Sequence, residues 1–196
     1  MRNRPMVWMA LMAGLTGCDW LGSTAARVIP ALEVVDPSFA AEPVDCSAPI
    51  PTPRPNNNGV ISTLTCGDVV EGYTGVGTRQ WGDSFYRSVY CTPEVHYYDN
   101  AREAVYALKV PPNFKATIQL DSNCADLDVV AVAWEETGHM PTDRHPIIEC
   151  EMDTSRGGGT IAVTTVSREQ RYLIGVDGKN NAESNFRLSV TCAQYR

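Results

Sequence analysis

Residues 103–120 read EAVYALKVPPNFKATIQL. Ala104, Tyr106, Leu108 and Val110 alternate with Glu103, Val105, Ala107 and Lys109, and Phe114, Ala116, Ile118 and Leu120 alternate with Lys115, Thr117 and Gln119. Successive side chains of a strand point to opposite faces, so each run predicts a strand with one face buried and one wet. Pro111-Pro112-Asn113 divides the two runs at a spacing that suits a hairpin. Phe186 to Cys192 repeats the alternation, and Leu127 to Trp134 is apolar on both faces, as a central strand would be. Val60 to Cys66, Ser84 to Cys91, Thr160 to Val166 and Arg171 to Asp177 also read as strands. Gly157-Gly158-Gly159 and Asp177-Gly178 mark turns. Helical periodicity nowhere runs beyond a turn or two. About eight or nine short strands with turn signals between them predict an all-β fold, an antiparallel β-sandwich of jelly-roll type, over residues 60–196.

Upstream of residue 60 the chain changes character. Seven of the 13 prolines lie between Pro30 and Pro55, ending in PIPTPRP and Asn56-Asn57-Asn58. Proline lacks an N–H donor and favours extended polyproline geometry, so residues 18–59 are expected to form a tether. The first 17 residues carry Arg2 and Arg4, an apolar stretch from Met6 to Leu15, and then Leu15-Thr16-Gly17 before Cys18. This pattern is that of a secretory signal, too short to span a membrane as a mature helix. With a cysteine directly after the small residues, it resembles the lipobox of bacterial lipoproteins. The resemblance implies cleavage before Cys18 and acylation of that residue, which anchors the chain in a membrane of the cell envelope. Two or three acyl chains hold stably where one binds marginally.

The chain of 196 residues carries 16 basic and 23 acidic residues, a net −7. Without Arg2 and Arg4 the basic count falls to 14 and the net charge to −9. With only three lysines and no basic run, nucleic acid is excluded as a partner, because neutralising phosphates requires a cationic patch. Setting Cys18 aside leaves Cys46, Cys66, Cys91, Cys124, Cys150 and Cys192, an even set that suits up to three disulfides in an oxidising compartment. Six cysteines allow 15 pairings. Bracketing of neighbouring strands favours Cys124–Cys150 and Cys66–Cys91, which leaves Cys46–Cys192. No pair has the C-x-x-C spacing of a redox or zinc motif.

The ordered series Cys66-Gly67-Asp68, Tyr90-Cys91, Glu103-Ala104-Val105-Tyr106, Asp126-Leu127-Asp128-Val129-Val130, Tyr172-Leu173-Ile174-Gly175-Val176-Asp177-Gly178 and Phe186-Arg187-Leu188-Ser189-Val190 resembles the bacterial pre-peptidase C-terminal domain, in particular its cysteine-rich relatives in envelope lipoproteins. The match covers roughly residues 60–192. It implies a jelly-roll-like sandwich and a non-catalytic accessory module, with calcium and collagen bound by some relatives. No protease domain accompanies it here, so the module would act alone or on another chain.

Asp121, Asp126, Asp128 and Asp177 are the candidate calcium ligands, since Asp126 and Asp128 share a strand face and calcium takes six to eight oxygens. The competing reading makes them turn and ion-pair residues, and no EF-hand or nonapeptide repeat is present. His139 and His145 flank a loop holding Asp143, a pattern open to a transition metal or to plain solvation; His96 stands apart. Trp81, Tyr86, Tyr97 and Tyr98 lie in an aromatic-rich stretch with Arg79 and Arg87, residue types enriched at binding hot spots. That stretch forms either an edge that binds a protein or glycan, or ordinary core packing. Catalysis lacks a motif: there is no G-x-S-x-G elbow, and the least implausible enzyme is a hydrolase using Glu135, Glu136 or Glu149. The expected function is a lipid-anchored, non-catalytic binding or structural module without a required cofactor. The alternatives are a secreted-type hydrolase and a calcium-binding adhesion module.

Overall fold

The computed structural model describes residues 43–88, 97–142, 147–151 and 158–194, with backbone alone at 88 and 147–151. Among the described residues nine strands run in order: β1 Thr63–Leu64, β2 Val69–Tyr73, β3 Ala104–Val110, β4 Phe114–Asp121, β5 Leu127–Ala133, β6 Ile147–Glu151, β7 Gly159–Thr164, β8 Gln170–Gly178 and β9 Asn185–Gln194. A helix, α1 Asp83–Ser88, lies between β2 and β3. One sheet has the order β1-β3-β8-β5-β6, the other β2-β9-β4-β7. Every pairing is antiparallel except the two-residue ladder of β1 on β3. The protein is a β-sandwich, as the strand periodicity predicts.

The core between the sheets joins Tyr106, Leu108, Val129, Ile174 and Val176 of the first to Ile118, Leu120, Ile161, Phe186 and Leu188 of the second. In β4 and β9 these alternate with more exposed residues, so the four-stranded sheet has one wet face. The five-stranded sheet does not. Val105, Ala107, Val130, Val132 and Leu173, on its opposite face, form a second core with Val60, Trp81, Phe85, Tyr86, Tyr98, Trp134 and Met140. The expected wet face of β3 is therefore buried: Glu103 and Val105 are 0% exposed, and Lys109 alone of that row reaches solvent. The apolar reading of β5 holds, since it lies between β8 and β6 with both faces covered.

Two local expectations change. The stretch expected as a strand over Ser84 to Cys91 begins as helix α1, and its residues 89–91 lie outside the described residues. Trp81, just ahead of α1, and Phe85 within it stack on one another with centroids 4.9 Å apart, and the Phe85 and Tyr86 N–H groups donate to Gly82 O at 3.0 and 3.1 Å, which closes a helical turn in place of a strand. Pro111-Pro112-Asn113 is not a hairpin. β3 and β4 belong to different sheets, so the turn crosses between layers. Its prolines offer no ladder donors, Asn113 takes the left-handed conformation at φ 61°, and the Thr165 hydroxyl donates to Pro111 O.

The segment ahead of residue 60 is also more tightly held than a tether. Val44 is buried and its N–H donates to Asn123 Oδ1 at 2.9 Å, while Asn123 Nδ2 donates back to Val44 O at 3.1 Å. Asn185 does the same for the residues that follow: Nδ2 donates to Asp45 O and Ala48 O, and Oδ1 accepts from Ile50 N–H at 3.0 Å. A side-chain amide carries both donors and an acceptor, so it can replace a missing backbone partner. Residues 43–59 thus form a strap on the sandwich, and the folded body begins before residue 60.

The disulfides are Cys46–Cys124, which staples the strap to the β4–β5 loop, and Cys66–Cys192, which ties the β1–β2 connection to β9. These correct the expected partners of Cys46, Cys66, Cys124 and Cys192. Bracketing by sequence favours short loops, whereas the native bridges close separations of 78 and 126 residues. Cys91 and the side chain of Cys150 lie outside the described residues. Non-reducing peptide mapping should recover the Cys46–Cys124 and Cys66–Cys192 peptides. Replacing Cys66 and Cys192 together by alanine should lower unfolding stability by about 2–5 kcal/mol in denaturant titration.

Candidate functional site

The outer face of the five-stranded sheet carries buried carboxyls bonded to tyrosines. Asp128 and Asp177 are direct cross-strand partners on β5 and β8, and both are fully buried. Each is met by a tyrosine from the segment that covers the sheet. Tyr98 Oη donates to Asp128 Oδ2 at 2.5 Å, and Tyr86 Oη donates to Asp177 Oδ2 at 2.6 Å. The two rings touch edge to face with centroids 5.0 Å apart. Asp177 Oδ1 also accepts the Gly178 N–H at 2.7 Å. Glu103, beside the start of β3, accepts from the Thr78 hydroxyl and from the Gln80 N–H at 2.7 Å, while its Oε2 is buried with no hydrogen-bond partner among the described residues.

Burial dominates the electrostatics. It pushes the Asp177 carboxyl well above the usual carboxylate range, helped by the neighbouring Glu103 charge and opposed by the bonds from Tyr86 and Gly178. Burial also raises Glu103, against the bonds from Thr78 and Gln80. Both tyrosines are raised, first by burial and then by the aspartate each one contacts. These are groups locked in a neutral or hydrogen-bonded state. They act as latches between the aromatic cover and the sheet.

The remainder of the cover is apolar. Trp81 lies on β8 where Gly175 leaves the surface bare: a Cβ there would sit 2.4 Å from Trp81 Cζ3. Trp81 Nε1 donates to Pro141 O at 3.2 Å and Trp134 Nε1 to His139 O at 2.9 Å, so two indoles hold the loop after β5 against the same face. Of the four aromatics singled out for binding, Trp81, Tyr86 and Tyr98 are thus interior packing residues. Tyr97 alone is presented outward, 60% exposed, with φ 84° and Lys179 Nζ 5.8 Å from its ring centre.

The four aspartates proposed for calcium are divided. Asp128 and Asp177 adjoin, each with one oxygen on a tyrosine. Asp121 ends β4 in the other sheet and accepts from Gln119 Nε2 at 2.8 Å, and Asp126 precedes β5. No three His, Cys, Asp or Glu side chains among the described residues converge as a metal centre requires. His139 is exposed beside Glu136, with Nε2 and Oε2 3.5 Å apart. His96, Asp143 and His145 lie outside the described residues. Glu135 and Glu136 are exposed, and the Glu149 side chain is outside the described residues. Sequence reasoning missed Glu103 as a member of the buried acidic group and missed the surface groove between the strap and the β2–α1 connection. The signal for Glu103 was its place in the buried row with Val105 and Ala107.

No protein-family model matches the chain. No curated protein matches it either. Among solved structures, the pre-peptidase C-terminal domain of a collagenase from Bacillus anthracis is 12% identical, with a TM-score of 0.38 over 69% of this chain and 100% of that one. PliG of Aeromonas hydrophila, a periplasmic inhibitor of g-type lysozyme, is 11% identical, with a TM-score of 0.41 over 67% of this chain and 96% of that one. Likeness of this degree assigns no activity.

The raised carboxyls have a consequence for stability. The folded chain holds the Asp177 and Glu103 protons more tightly than the unfolded chain, where the ordinary values are 3.8 and 4.5. Their contribution is therefore full below the unfolded values and is lost as pH rises through the folded ones. Asp177→Asn keeps the shape and stays neutral. The fall in its melting temperature between about pH 4 and about pH 8 should be smaller than that of the unsubstituted chain. An equal fall in both would reject an uncharged Asp177.

Proposed function

We propose that the protein is a lipid-anchored envelope protein whose disulfide-bonded sandwich serves as a non-catalytic binding or structural module for a protein or glycan ligand. The observation that carries this reading is the pair of disulfides joining the strap and the last strand to the body. Such bridges persist in oxidising compartments. That environment agrees with the basic and apolar residues 1–17 and with Cys18 as the anchored residue. The chemistry of the interior supports a module in preference to a hydrolase. The buried carboxyls Asp128 and Asp177 engage tyrosines, not an open cleft, and so are poorly placed to protonate a substrate.

Membrane fractionation of cells expressing the chain tests the anchor. The unsubstituted protein should pellet with membranes, and mass spectrometry of its mature N-terminus should show an acylated Cys18. Cys18→Ala should move the protein to the soluble fraction with its disulfides intact. An unmodified Cys18, or a Cys18→Ala chain that still pellets, would overturn the lipid-anchor reading.

A further inference from the structure

A groove of about 470 Å³ opens between the strap and the β2–α1 connection, lined by Arg54 and Pro55 of the strap, by Gly75 and Gly77, and by Arg102. The chain is acidic overall at net −7, yet this groove is cationic. Arg54 stands between Pro53 and Pro55 and is exposed; it makes no hydrogen bond or ion pair with the described residues. Its backbone is fixed on both sides. Thr52 Oγ1 accepts the Tyr73 N–H at 2.8 Å, and Asn56 donates its N–H to Val60 O at 2.9 Å and accepts from Gly59 N–H at 3.0 Å. A guanidinium on so restricted a backbone loses less freedom when it binds.

Arg102 is aimed by its neighbours. One amino group donates to Gly77 O at 3.1 Å, and Nε lies 3.2 Å from Glu183 Oε1. Glu183 also faces Arg79 at 4.0 Å and accepts from Tyr73 Oη at 3.3 Å. A guanidinium has five N–H donors, so these contacts leave donors on Arg102. Two arginines, Arg79 and Arg102, thus face one carboxylate, and Arg54 and Arg102 line the same groove; the planar fork of arginine matches carboxylate and phosphate oxygens.

We propose that this groove binds a ligand bearing a carboxylate or phosphate group, clamped by Arg54 and Arg102. Glu183 acts as the internal anion that holds Arg102 in place and competes with the ligand. The assignment rests on the binding-module reading and names the ligand class for it.

The test is calorimetric titration of the full chain, in a neutral detergent at fixed ionic strength, with inorganic phosphate and separately with succinate. At least one anion should bind saturably at a single site, and the tighter of the two identifies phosphate or carboxylate as the preferred chemistry. Arg54→Ala should weaken binding about tenfold with an unchanged melting temperature. Arg168→Ala, an exposed arginine remote in sequence, should leave it unchanged. Glu183→Gln should tighten binding severalfold by releasing Arg102. Saturation by neither anion, indifference to Arg54→Ala, equal weakening by Arg168→Ala, or no gain from Glu183→Gln would each overturn the proposal. Any of these failures leaves the lipid anchor standing, because fractionation of Cys18→Ala reads that separately.

Discussion

The five-stranded sheet is apolar on both faces, and most of the rest of the structure follows from the need to cover the second one. β3, β5 and β8 present Val105, Ala107, Val130, Val132 and Leu173 away from the inter-sheet core. Left in water, that surface would remove a large part of the burial that drives folding. The chain covers it with material that is not strand: Trp81, Phe85 and Tyr86 from around α1, Tyr98 beyond it, and Trp134 and Met140 from the loop after β5. Aromatic residues suit the task because each buries a broad surface and the polar tips of Tyr and Trp can still find partners. Asp128 and Asp177 supply those partners for Tyr98 and Tyr86.

This arrangement reverses the ordinary meaning of buried acids. A cluster of carboxyls in a cleft suggests catalysis or a metal. Here Asp128 and Asp177 sit beneath the cover, opposite one another in the ladder. Burial without a bond would be costly, and a bond to a tyrosine hydroxyl removes much of that cost. The polar pairs also specify position: an aromatic cover held by apolar contact alone could slide, whereas two hydroxyl–carboxyl bonds fix where Tyr86 and Tyr98 lie. The strap uses the same device with Asn123 and Asn185, which bind its backbone where no strand pairs with it. It thereby brings Arg54 to the groove that Arg102 also lines.

The strands were legible because period-two alternation is a local property. Ala104 to Val110, Phe114 to Asp121 and Phe186 to Cys192 all lie within observed strands. Which sheet a strand joins was less legible. Pro111-Pro112-Asn113 has the spacing of a hairpin, but the same three residues equally permit a crossing between layers, and pairing is settled by partners distant in sequence. The disulfides were misread for the same reason. Nearness along the chain favoured Cys66–Cys91 and Cys124–Cys150, while the sheets bring Cys66 to Cys192 and the strap brings Cys46 to Cys124. The aromatic stretch from residue 73 to 98 was ambiguous because hot-spot residues and core residues are the same types. Arg54 and Arg102 were invisible as a pair, since 48 positions part them and neither lies in a charged run.

By itself the sequence determined the β class, the apolar two-faced character of β5 and the acidic balance. These depend on side-chain type and on spacing of two, which are written in consecutive residues. Only the tertiary structure decided that β3 is buried on both faces, that Trp81, Tyr86 and Tyr98 are interior, which cysteines pair and which arginines meet across a groove. Those outcomes depend on contacts between segments far apart in the chain, where loop closure and complementary packing, not local preference, select one partner among many.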